Sequence, residues 1–416
     1  MIAKKATHPR MILIILAILL AAIGYARSTP ELSAAACTVT LPSGGDIQAA
    51  VTAASPGDVI CLSAGTYTPA ATIVINKALT LQGPQSEVDP RPSASTTRTP
   101  GGAAEAIIDG GGTLGTIISI TSSNVVLDGF EVKNGTGDLI ASPTSSGIVN
   151  LRVAYLIIHD ATGDEGMQIR DCEGCTIEYN YAFDTAGEGI NLCCGSVDGL
   201  IQFNETIDIN SENAAIYIYD AEHTTIQCNL IDTTFRNEGI KFGAKYGPDA
   251  LKSGGDILYN VIRNTAQDGI AVYISDTNVT GNDISYSSSE NGAIYVTHGV
   301  SNINITYNNI HDNTFSLLKW QPGGVTVGNS DGQLAATVEV HYNNFTGNNP
   351  NGVLNLAADL LDAENNYWGA ADGPGLVGPG SGDNVSANVA FTPWYAQPLT
   401  LPSGPCLPLG TNVVTY

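Results

Sequence analysis

Acidic side chains precede a recurring Gly-plus-apolar pair at four places in the sequence. Glu165, Glu188, Glu238 and Asp268 each stand directly before the Gly of such a pair. If these segments lie on neighbouring turns of a repeat, Glu165 comes close to Glu188 and Glu238 comes close to Asp268. Carboxylates that close share a proton or bind a cation, and Ca²⁺ prefers oxygen ligands of this kind. The pattern therefore predicts a Ca²⁺ site, against the simpler alternative that these acids are solvated turn residues.

Polar and aromatic residues follow the acidic residues at positions expected to point outward from a strand. We predict that the following residues bind substrate: Gln168, Asn191, Tyr217, Tyr219, Tyr273, Tyr295 and His298. Tyrosines suit sugars, because the apolar C–H faces of a sugar stack on aromatic rings while its hydroxyls bond polar groups. The alternative is that tyrosine is simply favoured on exposed strands.

Basic residues are concentrated in one segment of this acidic chain. Four lie within 17 residues, beside a Gly-rich insertion from 243 to 255: Arg236, Lys241, Lys245 and Lys252. A lyase of acidic sugars needs a base to remove the proton beside the carboxylate and a cation to stabilise the resulting anion. Lys241 is the candidate base, with His298 as an alternative, and Arg170 or Lys245 would hold the substrate carboxylate. The competing interpretation is a solvated loop that balances an acidic surface.

A sequence repeat positions these residues. An Asn stands two residues before an apolar residue in segment after segment, imperfectly at Asn204: Asn180, Asn204, Asn229, Asn260, Asn282, Asn308 and Asn343, with Asn365 closing the series. The spacings of 22 to 35 residues indicate coils of short strands and turns that stack by parallel pairing. The predicted fold is all-β, a single-stranded parallel β-helix in which an inward Asn bonds backbone groups from coil to coil.

Both ends of such a stack are open sheet edges and need covers. Before the first coil, Ile47, Val51 and Ala54 recur at helical spacing within residues 45–56, which predicts an amphipathic helix cap. After the last coil, residues 365–394 are rich in Gly and Pro and supply Trp368 and Trp394, which predicts a terminal plug. We therefore expect one β-helix domain over residues 37–396 and a Pro-rich tail over residues 397–416.

The first 26 residues have the layout of a secretory signal peptide, with a basic start and an apolar run. An uncleaved anchor is the alternative, but the 16 residues of the run fall short of the roughly 20 that span a bilayer. This leader carries three of the 16 basic residues and none of the 40 acidic ones, so the remainder has a formal net charge of −27. Such a surface repels nucleic acid, anionic membranes and acidic polysaccharides, unless bound cations invert the local field. We expect a secreted or cell-surface monomer whose partner is an extracellular polysaccharide, with no nucleic-acid partner and no membrane partner after cleavage.

Eight cysteines, all after the leader, suit an oxidising compartment. Cys37 and Cys61 flank the first predicted segment, and four more form a cluster: Cys172, Cys175, Cys193 and Cys194. The pattern favours disulfides between neighbouring turns, with undetermined connectivity. A four-thiolate zinc site is the alternative, and it is disfavoured because zinc ribbons usually place two Cys-x-x-Cys knuckles opposite each other.

Several motifs resemble the pectin-lyase-like superfamily of right-handed parallel β-helices, in particular its NosD-like, carbohydrate-binding and sugar-hydrolase members. They include Asp46-Ile-Gln-Ala-Ala, Leu79-Thr-Leu-Gln-Gly83, Asn124-Val-Val-Leu-Asp-Gly-Phe130 and Asn365-Asn-Tyr-Trp-Gly369. The resemblance covers nearly the whole chain after the leader and implies the fold and its right-handed winding. It implies little about chemistry, because this superfamily carries enzymes, adhesins and scaffolds on one frame.

The motifs of the best-defined enzymes of that superfamily are missing. The Gly-His-Gly and Arg-Ile-Lys blocks of polygalacturonase-type hydrolases are not intact, and the Trp-Ile-Asp-His block of the major pectate lyases is absent. Three classes of function remain open. The candidate site favours a Ca²⁺-assisted polysaccharide lyase of pectate or alginate type. A non-catalytic carbohydrate-binding or adhesive protein and a purely structural envelope component are the alternatives.

Overall fold

Three long parallel β-sheets make up most of the described chain. The computed structural model describes residues 36–243, 249–288, 291–314, 322–328 and 337–406. The chain runs through sheet 1, sheet 2 and sheet 3 in turn, and each strand pairs in parallel with its counterpart one coil away. Neighbouring coils are therefore about 4.8 Å apart. The predicted all-β parallel β-helix is confirmed.

The strands of each sheet, within the described residues, follow one another in stacking order. Sheet 1 contains fourteen strands: Val39–Leu41, Val59–Leu62, Thr80–Gln82, Val126–Asp128, Arg152–Ala154, Thr176–Glu178, Leu200–Gln202, Thr225–Gln227, Asp256–Leu258, Thr277–Thr280, Ile303–Thr306, Val338–His341, Leu361–Asp362 and Val389–Ala390. Sheet 2 contains eleven: Gly65–Tyr67, Ala106–Asp109, Glu131–Gly135, Ile157–Ala161, Tyr181–Thr185, Glu205–Ile209, Leu230–Thr234, Val261–Thr265, Asp283–Ser285, Asn309–His311 and Asn344–Thr346. Sheet 3 contains thirteen: Ile73–Ile75, Ile118–Ile120, Ile140–Ala141, Met167–Arg170, Ile190–Cys193, Ala214–Tyr219, Glu238–Phe242, Ile270–Val272, Gly292–Val296, Gly323–Val327, Asn351–Asn355, Gly382–Val385 and Pro374–Leu376. Two further strand pairs are Ile148–Val149 with Cys172–Glu173, and Asp249–Ser253 with Ile274–Ser275.

The interior is filled by aliphatic side chains that recur at the same position of successive coils. In sheet 3, for example, Ile169, Leu192 and Ile218 are aligned by the strand register, and none is more than 1% exposed. Side chains alternate between the two faces of a strand, so their neighbours in sequence point outward in ladders of their own. The non-acidic candidates on these strands, such as Gln168, Asn191 and Lys241, belong to those outward ladders.

A ladder of buried asparagines follows the turn between sheets 1 and 2. The Asn204 Nδ2 donates to Asn229 Oδ1 at 3.0 Å and to the Ile177 carbonyl oxygen at 2.9 Å. The other members, equally buried, are Asn180, Asn260, Asn282, Asn308, Asn343 and Asn366. The predicted inward ladder is confirmed except at its last member. Asn366 accepts from Asn343 Nδ2 at 3.1 Å, whereas Asn365 lies one residue earlier in the left-handed region, so the expectation for Asn365 was wrong by one residue.

The helix expected from the apolar spacing near the start of the chain is present at Ile47–Ala53. Asp46 caps it, since its side chain accepts from the Ala49 amide, and Ile47 and Val51 are buried. A short 3₁₀ turn spans Pro92–Ala94. At the other end of the repeat, Trp368 is buried and stacks on Phe345 with ring centroids 4.9 Å apart. The roles of these segments as cap and plug, and the predicted domain boundaries, stay predictions.

Three disulfides join six of the eight cysteines: Cys37–Cys61, Cys172–Cys175 and Cys228–Cys406. The disulfides expected from the composition are therefore present. The expectation that the cluster of four cysteines joins neighbouring turns was wrong, because Cys172 and Cys175 are bonded to each other within one turn. The alternative four-thiolate zinc site is wrong, because Cys172 and Cys175 are bonded to each other and cannot act as thiolate ligands. Cys193 and Cys194 are free thiols.

A loop of residues 84–105, which we call the covering loop, packs across the turn between sheets 1 and 2. Its Arg98 forms a buried ion pair with Glu105 at 2.8 Å and donates to the Tyr155 carbonyl oxygen at 2.8 Å. Its Arg91 lies over the rings of Tyr179 and Phe203.

The tail continues along the coils on the C-terminal side. Leu399 exchanges two hydrogen bonds with the Asn344 side chain, and Cys406 is bonded to Cys228. Residues 84–105 and 397–406 thus both pack on outer parts of the coils away from sheet 3.

The predicted signal peptide over residues 1–26 lies outside the described residues, as do Lys245 and residues 407–416. Within the described ranges, no helix has the length and apolar character needed to cross a membrane.

Candidate functional site

Five buried carboxyl groups form one ladder along sheet 3. The strand register aligns positions two residues before the inward Ile or Met, so Glu165 faces Glu188 and Glu238 faces Asp268, as predicted. The fifth is Asp138, one coil before Glu165. All five side chains are buried: Asp138, Glu165, Glu188, Glu238 and Asp268. Ala214 occupies the same ladder between Glu188 and Glu238 and divides it into two groups. We call the outward face of sheet 3 from Asp138 to His298 the candidate face.

The first group contains three carboxyl groups that approach each other closely. Oxygen atoms of Asp138, Asp164 and Glu165 all lie within 4.8 Å of one another, and Asp164 is exposed. Burial, followed by the neighbouring carboxyls of Asp164, Asp138 and Glu188, raises the pKa of Glu165 to about 11. Burial also raises the pKa of Asp138. Carboxyl groups arranged in this way hold either a shared proton or a metal ion.

Amide groups surround this acidic cluster. Asn191 Nδ2 donates to Glu165 Oε1 at 3.1 Å, and Gln168 Nε2 donates to the same oxygen. In the described part of the chain, four buried oxygens here have no hydrogen-bond partner: Asp138 Oδ1, Glu165 Oε2, Gln168 Oε1 and Asn191 Oδ1. Carboxylate and amide oxygens are the donor set that Ca²⁺ prefers, so the residues present fit this ion.

The second group surrounds Lys241. The Lys241 Nζ lies 2.8 Å from Glu238 Oε1, and both side chains are almost completely buried. The ammonium also lies 6.0 Å from the ring centroid of Tyr217 and 5.3 Å from that of Tyr273. The carboxylate and the two rings all favour a cation at this point. Glu238 Oε2 is a further buried oxygen without a partner among the described residues.

The predicted sugar-binding tyrosines form a packed cluster rather than a flat open face. Tyr217 and Tyr295 are only 5% and 9% exposed, Tyr273 is half-buried, and Tyr219 is 41% exposed. The rings pack against each other, with centroids 5.8 Å apart for Tyr217 and Tyr219 and 5.9 Å apart for Tyr273 and Tyr295. Tyr219 is therefore the ring of this cluster that a ligand in solution can reach most directly.

Arg170 lies in the first group and not beside Lys241. Its Nη2 is 3.3 Å from Asp138 Oδ2, and its Nη1 donates to the Ser142 carbonyl oxygen at 3.2 Å. The register places Arg170 three coils from Lys241, which is roughly 14 Å along the stack. The two residues are therefore not brought together on one sugar ring. His298 is half-buried just after the strand Gly292–Val296.

Glu188 completes the polar network between the two groups. Its Oε1 accepts from Ser211 Oγ at 2.9 Å and from Asn213 Nδ2 at 2.7 Å. Asp268 accepts from the Gly292 amide at 3.1 Å. These two carboxylates are held by donors of the protein itself.

Sequence reasoning missed Asp138 and Asp164. Asp138 was overlooked because Leu139 stands where the other copies have Gly, although the spacing of two residues from the inward Ile140 is the same. Asp164 is next to Glu165 in sequence and lies outside the ladder, so no ladder position marks it.

Comparisons with known proteins identify the fold. A family model described as "Right handed beta helix region" matches residues 207–367. The A-module of the mannuronan C-5 epimerase AlgE4 of Azotobacter vinelandii superimposes with a TM-score of 0.60, at 16% identity, and the match covers 88% of this chain and 98% of that one. The AlgE6 A-module of the same organism gives a TM-score of 0.59 at 16% identity, with 84% and 97% covered. No curated protein sequence matches the chain.

A pectate lyase, Pel9A, is a more distant structural match, with a TM-score of 0.45, 12% identity and coverage of 88% of this chain and 80% of that one. At 16% identity or less, these likenesses concern the fold alone. The family model and the AlgE4 match confirm the right-handed winding that the sequence motifs implied.

Proposed function

We propose that this right-handed parallel β-helix protein is secreted and binds an acidic extracellular polysaccharide along the candidate face, with Ca²⁺ as a bridging ion. The observation that carries the proposal is the location of unpartnered buried carboxylate oxygens. Within the described residues these are Asp138 Oδ1, Glu165 Oε2 and Glu238 Oε2, and all three lie on the candidate face. A buried polar atom without a partner costs about 1 to 3 kcal/mol, and more when it is charged, so it marks a place where a ligand or ion gains binding energy.

Charge explains why a cation belongs in this proposal. With the predicted leader removed, the chain carries a formal net charge of −27, and an acidic polymer would be repelled from it. Ca²⁺ at Asp138, Asp164 and Glu165 would neutralise the first group and leave coordination positions for carboxylates of the polymer. Gln168 would supply an amide oxygen to the same ion.

The structural likenesses support a polysaccharide as the ligand class. The two matches with TM-scores of 0.60 and 0.59 are enzymes named for the polysaccharide mannuronan. The three disulfides suit an extracellular location, because disulfides persist in oxidising compartments.

Calorimetric titration of the purified protein with oligomers of mannuronate, guluronate and galacturonate, in Ca²⁺ or in EDTA, tests this proposal. We expect binding in Ca²⁺ that EDTA abolishes. The double variant Asp138→Asn, Glu165→Gln should lose at least tenfold in affinity. Glu339→Gln, at an exposed carboxylate of sheet 1, is the matched control and should bind normally. Binding that is unchanged both in EDTA and in the double variant would contradict the Ca²⁺ part of the proposal.

A second candidate function is cleavage of the bound polymer by β-elimination. It is favoured by the buried pair of Lys241 and Glu238, a cation and a carboxylate in contact beneath tyrosine rings. In this scheme the Lys241 ammonium would first transfer a proton to Glu238. The neutral amine would then take the proton beside the uronate carboxylate, as the glycosidic bond on the neighbouring carbon breaks. A lyase creates an unsaturated sugar, so the same oligomers should gain ultraviolet absorbance.

Lys241→Met separates cleavage from binding. It should abolish the absorbance while it leaves Ca²⁺-dependent binding at the first group within a few-fold of normal. If no oligomer gains absorbance with the parent protein, the chain acts as a non-catalytic binding protein of the cell surface.

A further inference from the structure

Cys193 and Cys194 are two adjacent free thiols in a chain whose other described cysteines are all in disulfides. Cys193 ends the strand Ile190–Cys193 and is 2% exposed, whereas Cys194 is half-buried. Disulfides elsewhere in the molecule show that the fold accommodates oxidised cysteines. Cys193 and Cys194, in contrast, are not bonded to each other.

Backbone geometry explains why two adjacent cysteines remain free thiols. Consecutive Cα atoms across a trans peptide are about 3.8 Å apart, while ordinary disulfides join Cα atoms about 4.4 to 6.8 Å apart. A bond between adjacent cysteines therefore distorts the peptide, and strained disulfides are reduced more easily than relaxed ones. Hydrogen bonds hold the backbone of this pair in the stack, from the Cys194 amide to the Tyr219 carbonyl oxygen at 3.0 Å and from the Asp171 amide to the Cys193 carbonyl oxygen at 3.1 Å.

The two thiols differ in reactivity. A hydrogen bond from the Cys193 thiol lowers the pKa of the Cys194 thiol to about 7, and the nearby Arg170 acts in the same direction. The same contact and burial raise the pKa of the Cys193 thiol. Cys194 is thus the half-exposed thiol that ionises first, and Cys193 is the buried partner beside it.

We propose that Cys193 and Cys194 are a reversible thiol–disulfide site, which closes into a vicinal disulfide when it meets a small-molecule disulfide such as oxidised glutathione. The Cys194 thiolate attacks one sulfur of the small disulfide, forms a mixed disulfide and releases one thiolate. The Cys193 thiol then loses its proton and attacks Cys194 Sγ, which releases the second small thiol. Two electrons pass from the cysteine pair to the small disulfide, which is reduced to two thiols.

The site lies on the candidate face. Cys193 pairs in register with Arg170 on one side and with Tyr219 on the other. Ring closure would therefore alter the backbone between the two groups of that face.

Intact mass and peptide mapping after incubation of the folded protein in glutathione buffers test the proposal. We expect oxidised glutathione to lower the mass by two hydrogens, in the peptide that contains Cys193 and Cys194. Mild reductant should restore both thiols while Cys37–Cys61 and Cys228–Cys406 stay bonded. A lasting glutathione adduct on the parent protein, a disulfide-linked dimer or two unreacted thiols would overturn the proposal.

Two serine variants test the order of the steps. Cys193→Ser keeps the half-exposed thiol and removes its partner, so it should accumulate a glutathione adduct at Cys194. Cys194→Ser leaves only the buried thiol and should react at least tenfold more slowly. Equal reaction rates of the two variants would contradict the assigned roles. If Cys193→Ser fails to fold, Cys194→Ser alone tests them, because rapid modification of its remaining Cys193 would also contradict the assignment.

Discussion

Nine acidic side chains are buried among the described residues, and they lie in two regions that differ in how completely the carboxyl oxygens are hydrogen-bonded. Four lie in or beneath the covering loop: Glu105, Asp128, Glu131 and Glu205. The other five form the ladder of the candidate face: Asp138, Glu165, Glu188, Glu238 and Asp268.

The covering loop provides a partner for each of the first four. Arg98 pairs with Glu105, and the amides of Glu87, Gly101 and Ser93 donate to Asp128, Glu131 and Glu205 respectively. On the candidate face, Asp138, Glu165 and Glu238 each keep a buried oxygen without a partner in the described part of the chain. The carboxylates under the loop are therefore satisfied by the folded chain, whereas three on the candidate face each offer a buried oxygen to an ion or a ligand.

The largest effect is expected from removing the cation under the loop. Arg98→Met should lower the free energy of unfolding by about 3 to 5 kcal/mol, because it leaves the Glu105 carboxylate buried and unpaired. Urea unfolding followed by circular dichroism measures this loss. Arg263→Met is the control, since the Arg263 side chain is 40% exposed in its pair with Asp232, and it should cost less than about 1 kcal/mol. Equal losses for the two variants would contradict the comparison.

A Glu→Gln substitution should affect the free energy of unfolding differently in the two regions. Glu131→Gln should cost about 1 to 3 kcal/mol, because Glu131 accepts from the Gly101 amide at 2.6 Å and contacts His159 Nε2 at 3.1 Å. Glu165→Gln, measured in EDTA, should be neutral or stabilising, because it removes a buried carboxyl from a crowded acidic cluster. Saturating Ca²⁺, at about 100 times its Kd, should stabilise the parent by about 2.7 kcal/mol and Glu165→Gln by much less. A Glu165→Gln variant that unfolds as easily as Glu131→Gln would show that the candidate face is an ordinary structural network.

The pH dependence of stability should report the proton that the folded protein holds at Glu165. The pKa of Glu165 is raised in the folded protein above its ordinary value of 4.5, so the folded state holds a proton that the unfolded state releases. In EDTA, the contribution of Glu165 to stability should therefore be complete below about pH 4.5 and should decline as the pH rises from about 4.5 towards about 11, because the unfolded state loses the proton first. Unfolding curves at several pH values should show a shallower decline for Glu165→Gln. An identical slope in the parent and the variant would argue against a raised pKa at Glu165.

The smallest effects are expected from the aromatic residues. Tyr219→Ala should weaken polysaccharide binding roughly threefold to tenfold with little loss of stability, because the ring is 41% exposed on the candidate face. Tyr179→Ala should lower stability by about 1 kcal/mol without affecting binding, because its ring is stacked between Tyr155 and Phe203 beneath Arg91. Titration and urea unfolding of both variants test this contrast, which fails if Tyr179→Ala weakens binding as much as Tyr219→Ala.

The repeat in the amino-acid sequence was enough to predict the fold and the alignment of the acidic residues. The repeat of Asn and of small-apolar pairs places Glu165 beside Glu188 and Glu238 beside Asp268, because parallel coils align equivalent residues. The same pattern did not reveal Asp138, which lacks the neighbouring Gly, and it placed the end of the asparagine ladder at Asn365 instead of Asn366.

The sequence pattern does not predict which of the aligned carboxyl groups have hydrogen-bond partners for all their oxygens. Hydrogen-bond partners come from segments distant in sequence, such as the Gly101 amide for Glu131, and no local pattern specifies them. The burial of Tyr217 and Tyr295 also depends on how coils and loops pack. A periodic sequence specifies the ladder in which a side chain stands, but the energy of that side chain depends on its three-dimensional neighbours.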